Sequence, residues 1–200
     1  MSDNLDTACE RDPLAWFRES FQRALERESF DASRAALATA DAGGAPNVRF
    51  VLVKHVDENG FVFFTNYGST KARELDANPR AALAFHWAAL GEQVRVQGRV
   101  ARCDSAESDG YFATRPRGSQ LGAWASEQSR PIDTRAQLEA RLREVTARFP
   151  DATVPRPSYW GGFRLVPEVI EFWHDQRDRL HDRFRFTRGG FGWTCVRLQP

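Results

Sequence analysis

Gln93-Val-Arg-Val-Gln-Gly-Arg-Val-Ala-Arg-Cys103 is the segment on which the prediction of the fold rests. Val94, Val96 and Val100 share one face of an extended chain, and the polar and charged residues between them share the other. This period of two is typical of a strand in an antiparallel sheet that has one packed face and one face open to water or a ligand. The chain is therefore predicted to be built on such a sheet.

Further short strands are predicted on both sides of this segment. Their residues are 47–56, 61–65, 80–87, 163–166, 169–173, 183–187 and 193–198. Helices do not alternate regularly with these strands, which argues against a parallel doubly wound sheet. The pattern favours a mainly β chain of the α+β class, an antiparallel barrel with peripheral helices.

Helices are predicted where apolar residues recur at helical spacing. Asp12-Pro13 supplies an N-cap and an N1 proline for a first helix that ends near Glu28. The other predicted helices cover about 69–77, 105–114 and 134–149, with a loop at 115–119. We expect one domain over residues 1–200, in which residues 1–11 form a flexible N-terminal tail.

Composition limits the classes of protein that the chain could represent. A chain of 200 residues with 42% hydrophobic and 28% charged residues suits a globular domain. A formal charge of +1 gives no electrostatic reason to expect nucleic acid or a membrane as partner. No apolar segment resembles a secretion signal or a transmembrane span. The three cysteines, Cys9, Cys103 and Cys195, are widely scattered, and this favours a reducing cytoplasm. The dispersed histidines suggest no metal site.

Groups suited to phosphate recur on several predicted elements. Of the 28 basic residues only Lys54 and Lys71 are lysines, which suggests that a compact ammonium is needed there. The candidate phosphate ligands are Arg49, Lys54, Thr65, Lys71, Arg115, Ser119 and the run from Arg179 to Arg183. Their grouping suggests two phosphorylated ligands. On an unbroken strand Arg49 and Lys54 would point to opposite faces and would more easily serve different ligands.

The segment from Glu171 to Arg183 combines aromatic, cationic, acidic and imidazole side chains. Arg179, His181 and Arg183 alternate, so an extended strand would project all three from one face, toward a phosphate, a planar ring and a transferable proton. A solvated, salt-bridged hairpin is the alternative that the charge pattern leaves open.

Five ordered motifs resemble the pyridoxine/pyridoxamine 5′-phosphate oxidase family. They are Arg49-Phe-Val-Leu-Val-Lys54, Phe64-Thr-Asn-Tyr-Gly-Ser-Thr-Lys71, Tyr111-Phe-Ala-Thr-Arg-Pro-Arg-Gly-Ser119, Gln120-Leu-Gly-Ala-Trp-Ala-Ser-Glu-Gln-Ser129 and Arg179-Leu-His-Asp-Arg183. The resemblance implies an FMN-binding split barrel of Greek-key-like topology and a homodimer with FMN at the subunit interface. It implies oxidation of pyridoxamine or pyridoxine 5′-phosphate to pyridoxal 5′-phosphate, with O2 as the electron acceptor and H2O2 as the second product.

The resemblance also implies roles for individual residues. FMN would be bound by Arg49, Phe50, Val51, Leu52, Val53, Lys54, Phe64, Thr65, Lys71, Gln93, Gln128, Ser129, Trp173 and Arg183. The substrate would be bound by Lys54, Tyr111, Arg115, Ser119, Arg179 and His181. Arg179 and His181 are the expected catalytic residues, which would orient the substrate and manage its proton.

The chain departs from the family pattern at three places. Thr70 stands where arginine is usual, Phe64 where tyrosine is usual, and His174-Asp175 where Gln-Gly is common. Two other functions stay open, a split-barrel flavin oxidase for another substrate such as a phenazine precursor, and a non-catalytic carrier of flavin or pyridoxal phosphate. Arg115 and Ser119 argue against the former, because a substrate without phosphate would not need them.

Overall fold

The framework of the computed structural model, which describes residues 5–150 and 153–200, is one antiparallel sheet of eight strands. These are β1 (Arg34–Ala40), β2 (Pro46–Asp57), β3 (Gly60–Asn66), β4 (Arg80–Trp87), β5 (Glu92–Arg102), β6 (Trp160–His174), β7 (Asp182–Gly189) and β8 (Gly192–Leu198). The α-helices are α1 (Pro13–Arg27), α2 (Thr70–Ala77), α3 (Ser105–Thr114), α4 (Arg117–Ala125) and α5 (Arg135–Arg148). No helix in the described ranges is long and apolar enough to span a membrane.

The order of the strands makes the sheet a split barrel. Neighbours follow the order β3-β2-β1-β4-β5-β6-β7-β8, and β3 pairs in addition with β6. That extra pairing closes β1 to β6 into a barrel, whereas β7 and β8 extend the sheet beyond it. Strand β6 belongs to both parts, because its first half pairs with β3 and its second half with β7. The predicted α+β split barrel with peripheral helices is confirmed.

Strand β6 is one continuous strand, so the prediction of separate strands at 163–166 and 169–173 was wrong. Pro167 lies opposite Gly98, and the register of β5 against β6 shifts there. The shift is a β-bulge that accommodates a residue without an amide hydrogen inside the ladder. A Cβ atom built on Gly98 would lie 1.9 Å from the carbonyl oxygen of Val166, so only glycine allows the strands to approach this closely.

Helix α1 lies against the barrel and packs its aromatic side chains into the core. The predicted N-cap is confirmed, since Asp12 Oδ1 accepts a hydrogen bond of 2.7 Å from the amide of Ala15. Trp16 and Phe17 are fully buried, and the ring of Trp16 stacks on Phe172 of β6 at 4.0 Å. The burial of these rings attaches α1 to the strand that divides the sheet.

The N-terminal segment differs from the expected flexible tail wherever the structure describes it. Leu5–Glu10 form a 3₁₀ helix in which Ala8 is buried, and residues 1–4 of the predicted tail lie outside the described residues. Cys9 forms a disulfide with Cys195 of β8, at a Cα–Cα distance of 5.2 Å. The scatter of the cysteines had been interpreted as a sign of a reducing environment, and it does not indicate this bond, because 186 residues separate the two cysteines. Cys103 is free, and burial raises the pKa of its thiol to about 12.

The connection from β6 to β7 is a turn rather than an extended strand. The last pair of the ladder joins His174 to Asp182, and Arg177–Arg179 form a short 3₁₀ helix between them. Asp178 and Arg179 have left-handed φ values of 57° and 60°. The predicted single-face row of Arg179, His181 and Arg183 is therefore wrong, because the chain must reverse direction before β7 begins.

Replacement of Gly98 by alanine tests the close approach of β5 to β6. We expect Gly98→Ala to lower the free energy of unfolding by about 1–3 kcal/mol, since the new methyl group would meet backbone atoms that cannot rotate away. The matched control is Gly110→Ala in the middle of α3, where nothing lies within 4 Å of the added Cβ. Urea unfolding should show that this control is neutral or more stable by up to about 1 kcal/mol. Equal effects of the two substitutions would contradict the predicted contact.

Candidate active site

A cavity of about 660 Å³ lies between β2, β3, the ends of α2 to α4 and the start of β6. Most of the residues that the motifs nominate line it. They are Phe50, Val51, Leu52, Lys54, Phe64, Thr65, Lys71, Tyr111, Arg115, Ser119 and Gln128. Its lining includes four cationic side chains and no carboxylate, so the cavity is suited to an anionic ligand of the size of a small cofactor or metabolite.

Lys71 forms the most buried polar corner of the cavity. Lys71 is the second residue of α2, and it is only 8% exposed. The ammonium donates to Thr65 Oγ1 at 3.1 Å, Ser69 Oγ at 3.3 Å and Gln128 Oε1 at 3.2 Å. All three acceptors are neutral, and burial lowers the pKa of Lys71 to about 8. A buried cation next to a helix N-terminus is a favourable site for a phosphate group.

Arg115 forms a second cationic group in the same cavity. It follows the C-terminal end of α3, its guanidinium lies over the ring of Trp160 at 4.6 Å, and burial lowers its pKa. Its Nη1 atom is buried and has no hydrogen-bond partner among the described residues. A buried guanidinium nitrogen without a partner is costly, so this geometry favours an anionic ligand that would complete its hydrogen bonds.

Lys54 and Tyr111 lie near Arg115 on the cavity wall. The Lys54 ammonium is 3.6 Å from a carboxylate oxygen of Asp31. Burial raises the pKa of Tyr111, whose hydroxyl therefore stays protonated at neutral pH and can donate a hydrogen bond. Ser119 belongs to the first turn of α4, although the sequence predicts a loop at 115–119. The short loop before α4 thus places Arg115 and Ser119 on one side of the cavity.

An aromatic stack forms one wall of the cavity. Phe64 stacks on Tyr111 at 3.9 Å and on Trp160 at 5.5 Å, with the planes of each pair within 17°. The flat wall suits the edge or the face of a planar heteroaromatic ring. Phe64, one of the departures from the family pattern, fills this stack without a polar group.

Arg49 and Val53 do not line the cavity, although both belong to the predicted FMN set. Arg49 pairs with Glu74 at 3.0 Å and also bonds Thr39, behind the corner that holds Lys71. Val53 is buried in the core, so only its backbone could face a ligand. The register of β2 against β3 shifts around Lys54, which removes the unbroken strand on which the opposite-face argument for Arg49 and Lys54 depended.

Three other predicted FMN residues form a second group elsewhere on the chain. Gln93 pairs with Trp173, and Trp173 pairs with Arg183, so the three make one row across β5, β6 and β7. Arg183 is held by the buried carboxylate of Glu171 at 2.8 Å. None of the row lines the cavity. Ser129 lies outside it as well, with a left-handed φ of 70° directly after Gln128.

The two predicted catalytic residues lie in the turn next to this row. Arg179 is exposed and has no ion pair with any described residue, so its guanidinium is available to a ligand. His181 packs on the ring of Trp173, with the ring centroids 4.5 Å apart. Within one chain the structure therefore brings the predicted site residues together in two separate groups, one that lines the cavity and one that consists of the row with Arg179 and His181.

Six lining residues were not among the predicted site residues, and of these only Arg34 and Trp160 lie outside the five motifs; the others are Asn66, Gly122, Ala123 and Ser126. Arg34 pairs with Leu52 across β1 and β2 and contributes another cation to the lining, but nothing in its own sequence context indicated this. Trp160 did carry a signal, because it precedes Gly161-Gly162. Cβ atoms on these two glycines would lie 2.1 Å from the hydroxyl oxygen of Tyr67 and 2.7 Å from the sulfur of Cys103. Paired glycines of this kind mark a close approach of a strand to its neighbours.

The chain matches two protein families along most of its length. The family described as "Pyridoxamine 5′-phosphate oxidase" matches residues 21–149. The family described as "Pyridoxine 5′-phosphate oxidase C-terminal dimerisation region" matches residues 160–200. The first contains every cavity residue except Trp160, and the second contains Trp173, Arg179, His181 and Arg183.

Relatives and solved structures agree with these matches. A pyridoxine/pyridoxamine 5′-phosphate oxidase of Anaeromyxobacter dehalogenans is 58% identical over 94% of this chain and 96% of its own. One of Rubrobacter xylanophilus is 54% identical over 94% of this chain and 87% of its own. The crystal structure of PhzG from Burkholderia lata, in complex with tetrahydrophenazine-1-carboxylic acid, superposes with a TM-score of 0.89 at 30% identity, covering 94% and 93% of the two chains. An FMN binding protein of Nostoc punctiforme shares the fold, with a TM-score of 0.75 at 18% identity over 92% and 97%.

Substitution of Lys71 by methionine tests whether this ammonium is held at a cost to stability. At pH 7 we expect Lys71→Met to raise the free energy of unfolding of the ligand-free protein by about 1–3 kcal/mol, because a buried charge is removed. Between pH 8 and 10.5 the folded wild type loses this proton before the unfolded chain does, so its stability rises and the advantage of the variant shrinks.

Urea unfolding at pH 7 and pH 10 measures both effects. The matched control is Lys54→Met, at a lysine whose side chain is 29% exposed and close to Asp31. It should change the free energy of unfolding by less than about 1 kcal/mol at either pH. A destabilised Lys71→Met protein at pH 7 would show that the three hydrogen bonds outweigh the burial of the charge.

Proposed function

This chain belongs to the pyridoxamine 5′-phosphate oxidase family, and from that premise we propose that it binds FMN and oxidises pyridoxamine or pyridoxine 5′-phosphate to pyridoxal 5′-phosphate. O2 is the electron acceptor and H2O2 the second product. The observation that carries the proposal is the cavity, whose lining combines two cationic groups with an aromatic wall and includes no carboxylate. Such a cavity is suited to two phosphorylated aromatic molecules at once.

The corner formed by Lys71 would hold the phosphate of FMN. Its ammonium, the hydroxyls of Thr65 and Ser69 and the free amide groups at the start of α2 all converge there. Gln128 lies beside them, and its side-chain amide can rotate so that it either donates or accepts a hydrogen bond. Thr70 supplies no guanidinium. Because the three acceptors around Lys71 are neutral, the positive charge of its ammonium can pair with the phosphate.

The group around Arg115 would hold the phosphate of the substrate. The unpartnered Nη1 atom of Arg115 fits this role directly, because a phosphate oxygen would supply the missing acceptor. Lys54, the Tyr111 hydroxyl and Ser119 add a point charge and two donors from the same side. Arg49, which pairs with Glu74 behind the Lys71 corner, would support the FMN site through its charge rather than by direct contact.

A second copy of the chain would complete the site. The family match over residues 160–200 is to a dimerisation region, and it contains the row Trp173–Arg183 that lies outside the cavity of its own protomer. Beside the cavity, strand β2 exposes Val48, Phe50 and Leu52, with Phe50 71% exposed. An apolar strand face of this kind is a favourable subunit contact. In the proposed homodimer, Gln93, Trp173, Arg179, His181 and Arg183 of one copy would face the cavity of the other.

The chemistry divides between the cofactor and the protein. Bound FMN supplies the acceptor for the hydride that leaves the C4′ carbon of the substrate. The protein supports this by fixing both rings, since a misplacement of about 1 Å can cost about 100-fold in rate. Arg179 would orient the substrate and His181 would hold its proton. We also propose that the enzyme acts in the cytoplasm, as expected from the composition of the chain.

A flavin oxidase for a phenazine precursor is the second candidate function. It is favoured by the structural similarity to PhzG, whose complex contains tetrahydrophenazine-1-carboxylic acid. Two observations favour the phosphorylated substrate instead. The named oxidases are more similar in sequence, at 58% and 54% identity against 30%, and Arg115 carries a buried nitrogen that a phosphate would satisfy.

An anaerobic titration of the purified, FMN-loaded protein distinguishes the candidates. Pyridoxamine or pyridoxine 5′-phosphate should bleach the flavin absorbance stoichiometrically in a single turnover, and admission of O2 should restore it with release of H2O2. Pyridoxamine without phosphate is the control. It should bleach the flavin at least about 100-fold more slowly, because it lacks the phosphate that the cationic group around Arg115 would bind. Binding without bleaching would identify a carrier, and bleaching by the tetrahydrophenazine acid alone would identify the second candidate.

Two arginine substitutions separate the predicted roles in the turn and the row. We expect Arg179→Ala to lower kcat/KM by about 100-fold with unchanged FMN stoichiometry, because this guanidinium would contact only the substrate. Arg183→Ala should weaken FMN binding by about 10- to 100-fold, since Arg183 belongs to the row assigned to the cofactor.

The matched control for both is Arg185→Ala, an exposed arginine two residues along β7, which should change neither quantity by more than about twofold. FMN retention is measured by gel filtration and turnover by O2 consumption. Equal losses of turnover and of FMN in Arg179→Ala would contradict the separation of roles.

A further inference from the structure

Two cations of α2 fold back toward the N-cap of their own helix. Ser69 is the N-cap, and its side chain makes no capping hydrogen bond. The ammonium of Lys71 donates to Ser69 Oγ at 3.3 Å. The guanidinium of Arg73 donates to the carbonyl oxygen of Gly68 and, at 3.3 Å, to Thr70 Oγ1. Both cations therefore contact residues at the N-cap or directly beside it.

This arrangement of charge is unfavourable for the helix alone. The N-terminus of a helix carries a partial positive charge, which repels cations and attracts anions. The first turn of α2 contains no acidic residue that could offset this charge. Lys71 and Arg73 form no ion pair with a described residue, and their hydrogen-bond acceptors are all neutral. An anion at the N-cap would balance both cations and the helix terminus together.

The ammonium of Lys71 does not by itself balance the charge of a phosphate group. A phosphate monoester carries a charge of about −1.5 to −2 at pH 7, and an ammonium supplies a single positive charge. Arg49, which lies behind this corner, is already paired with Glu74 at 3.0 Å. Thr70 is uncharged. Arg73 is therefore a cation at the start of α2 whose charge no described carboxylate neutralises.

The position of Arg73 leaves donors for a ligand. A guanidinium carries more N–H donors than the two neutral oxygens of Gly68 and Thr70 can accept, so these contacts fix the side chain without exhausting it. Arg73 is exposed, whereas Lys71 is buried and lines the cavity. The two side chains would therefore contact a phosphate at the N-cap from different sides.

We propose, as a consequence of the proposed function, that Arg73 is a further cofactor-binding residue whose guanidinium holds the phosphate of FMN together with Lys71. Arg73 lies about one helical turn after Thr70, and its side chain returns to the Thr70 hydroxyl. It thereby places at the start of α2 the guanidinium that Thr70 does not supply. The phosphate is then held by an ammonium on the buried side and by a guanidinium on the exposed side.

Titration of the flavin-free, full-length protein with FMN and with riboflavin tests the proposal. Arg73→Ala should raise the dissociation constant of FMN by about tenfold, because a charge-assisted contact at an exposed site is lost. The dissociation constant of riboflavin, which has no phosphate, should change by less than about twofold. Quenching of flavin fluorescence measures both constants. An equal loss for the two flavins would show a structural role and overturn the proposal.

Two further variants test whether the effect belongs to the start of α2. Arg143→Ala removes an exposed arginine of α5 that has no ion pair with a described residue, and it should leave both dissociation constants within about twofold of the wild type. Thr70→Arg in the Arg73→Ala background returns a guanidinium to the first turn of α2. It should lower the dissociation constant of FMN by at least about threefold relative to Arg73→Ala.

The outcomes separate the role of Arg73 from the proposed function. FMN binding that is unchanged in Arg73→Ala, or that Thr70→Arg does not improve, would refute the role of Arg73 even if the wild type oxidises its substrate. A wild type that does not bind FMN would instead refute the proposed function.

Discussion

The structure depends on the double pairing of strand β6. Its first half hydrogen-bonds to β3 and closes the barrel. Its second half hydrogen-bonds to β7, through which the sheet continues beyond the barrel. One strand thus contributes Trp160 to the cavity wall at its start and Trp173 to the outer row near its end. Because both ends belong to a single strand, the spacing between the cavity and the outer row within one chain is set by the backbone and does not depend on flexible loops.

Close approach between backbones is what makes this double pairing possible. Glycine stands where β6 passes nearest to its neighbours, at Gly98 on β5 and at Gly161 and Gly162 on β6 itself. Any side chain at these positions would occupy space that belongs to carbonyl oxygens or to Tyr67 and Cys103. The same short distances bring Phe64 against Tyr111 and Trp160, so the geometry that closes the barrel also builds the aromatic wall.

Local patterns predicted the elements well, whereas contacts between distant segments were not predictable from them. The alternation in 93–103 and the cap at Asp12 act within a few residues, and both appear in the structure as expected. The continuity of β6 through Pro167 depends on a bulge opposite Gly98, and the proximity of Cys9 to Cys195 depends on the packing of the N-terminal helix on β8. For the site, the ordered motifs indicated most cavity residues, but Arg34 enters only through its cross-strand partner Leu52.

The bond between Cys9 and Cys195 turns almost the whole chain into a covalent ring. A protease that cuts once inside this ring, for example in the exposed link between α4 and α5, would release no fragment, since the two pieces stay joined through sulfur. Their separation would require both a cut and a reductant. A comparison of the mass of the cut protein before and after thiol treatment would therefore show whether the disulfide had formed under the redox conditions around the protein.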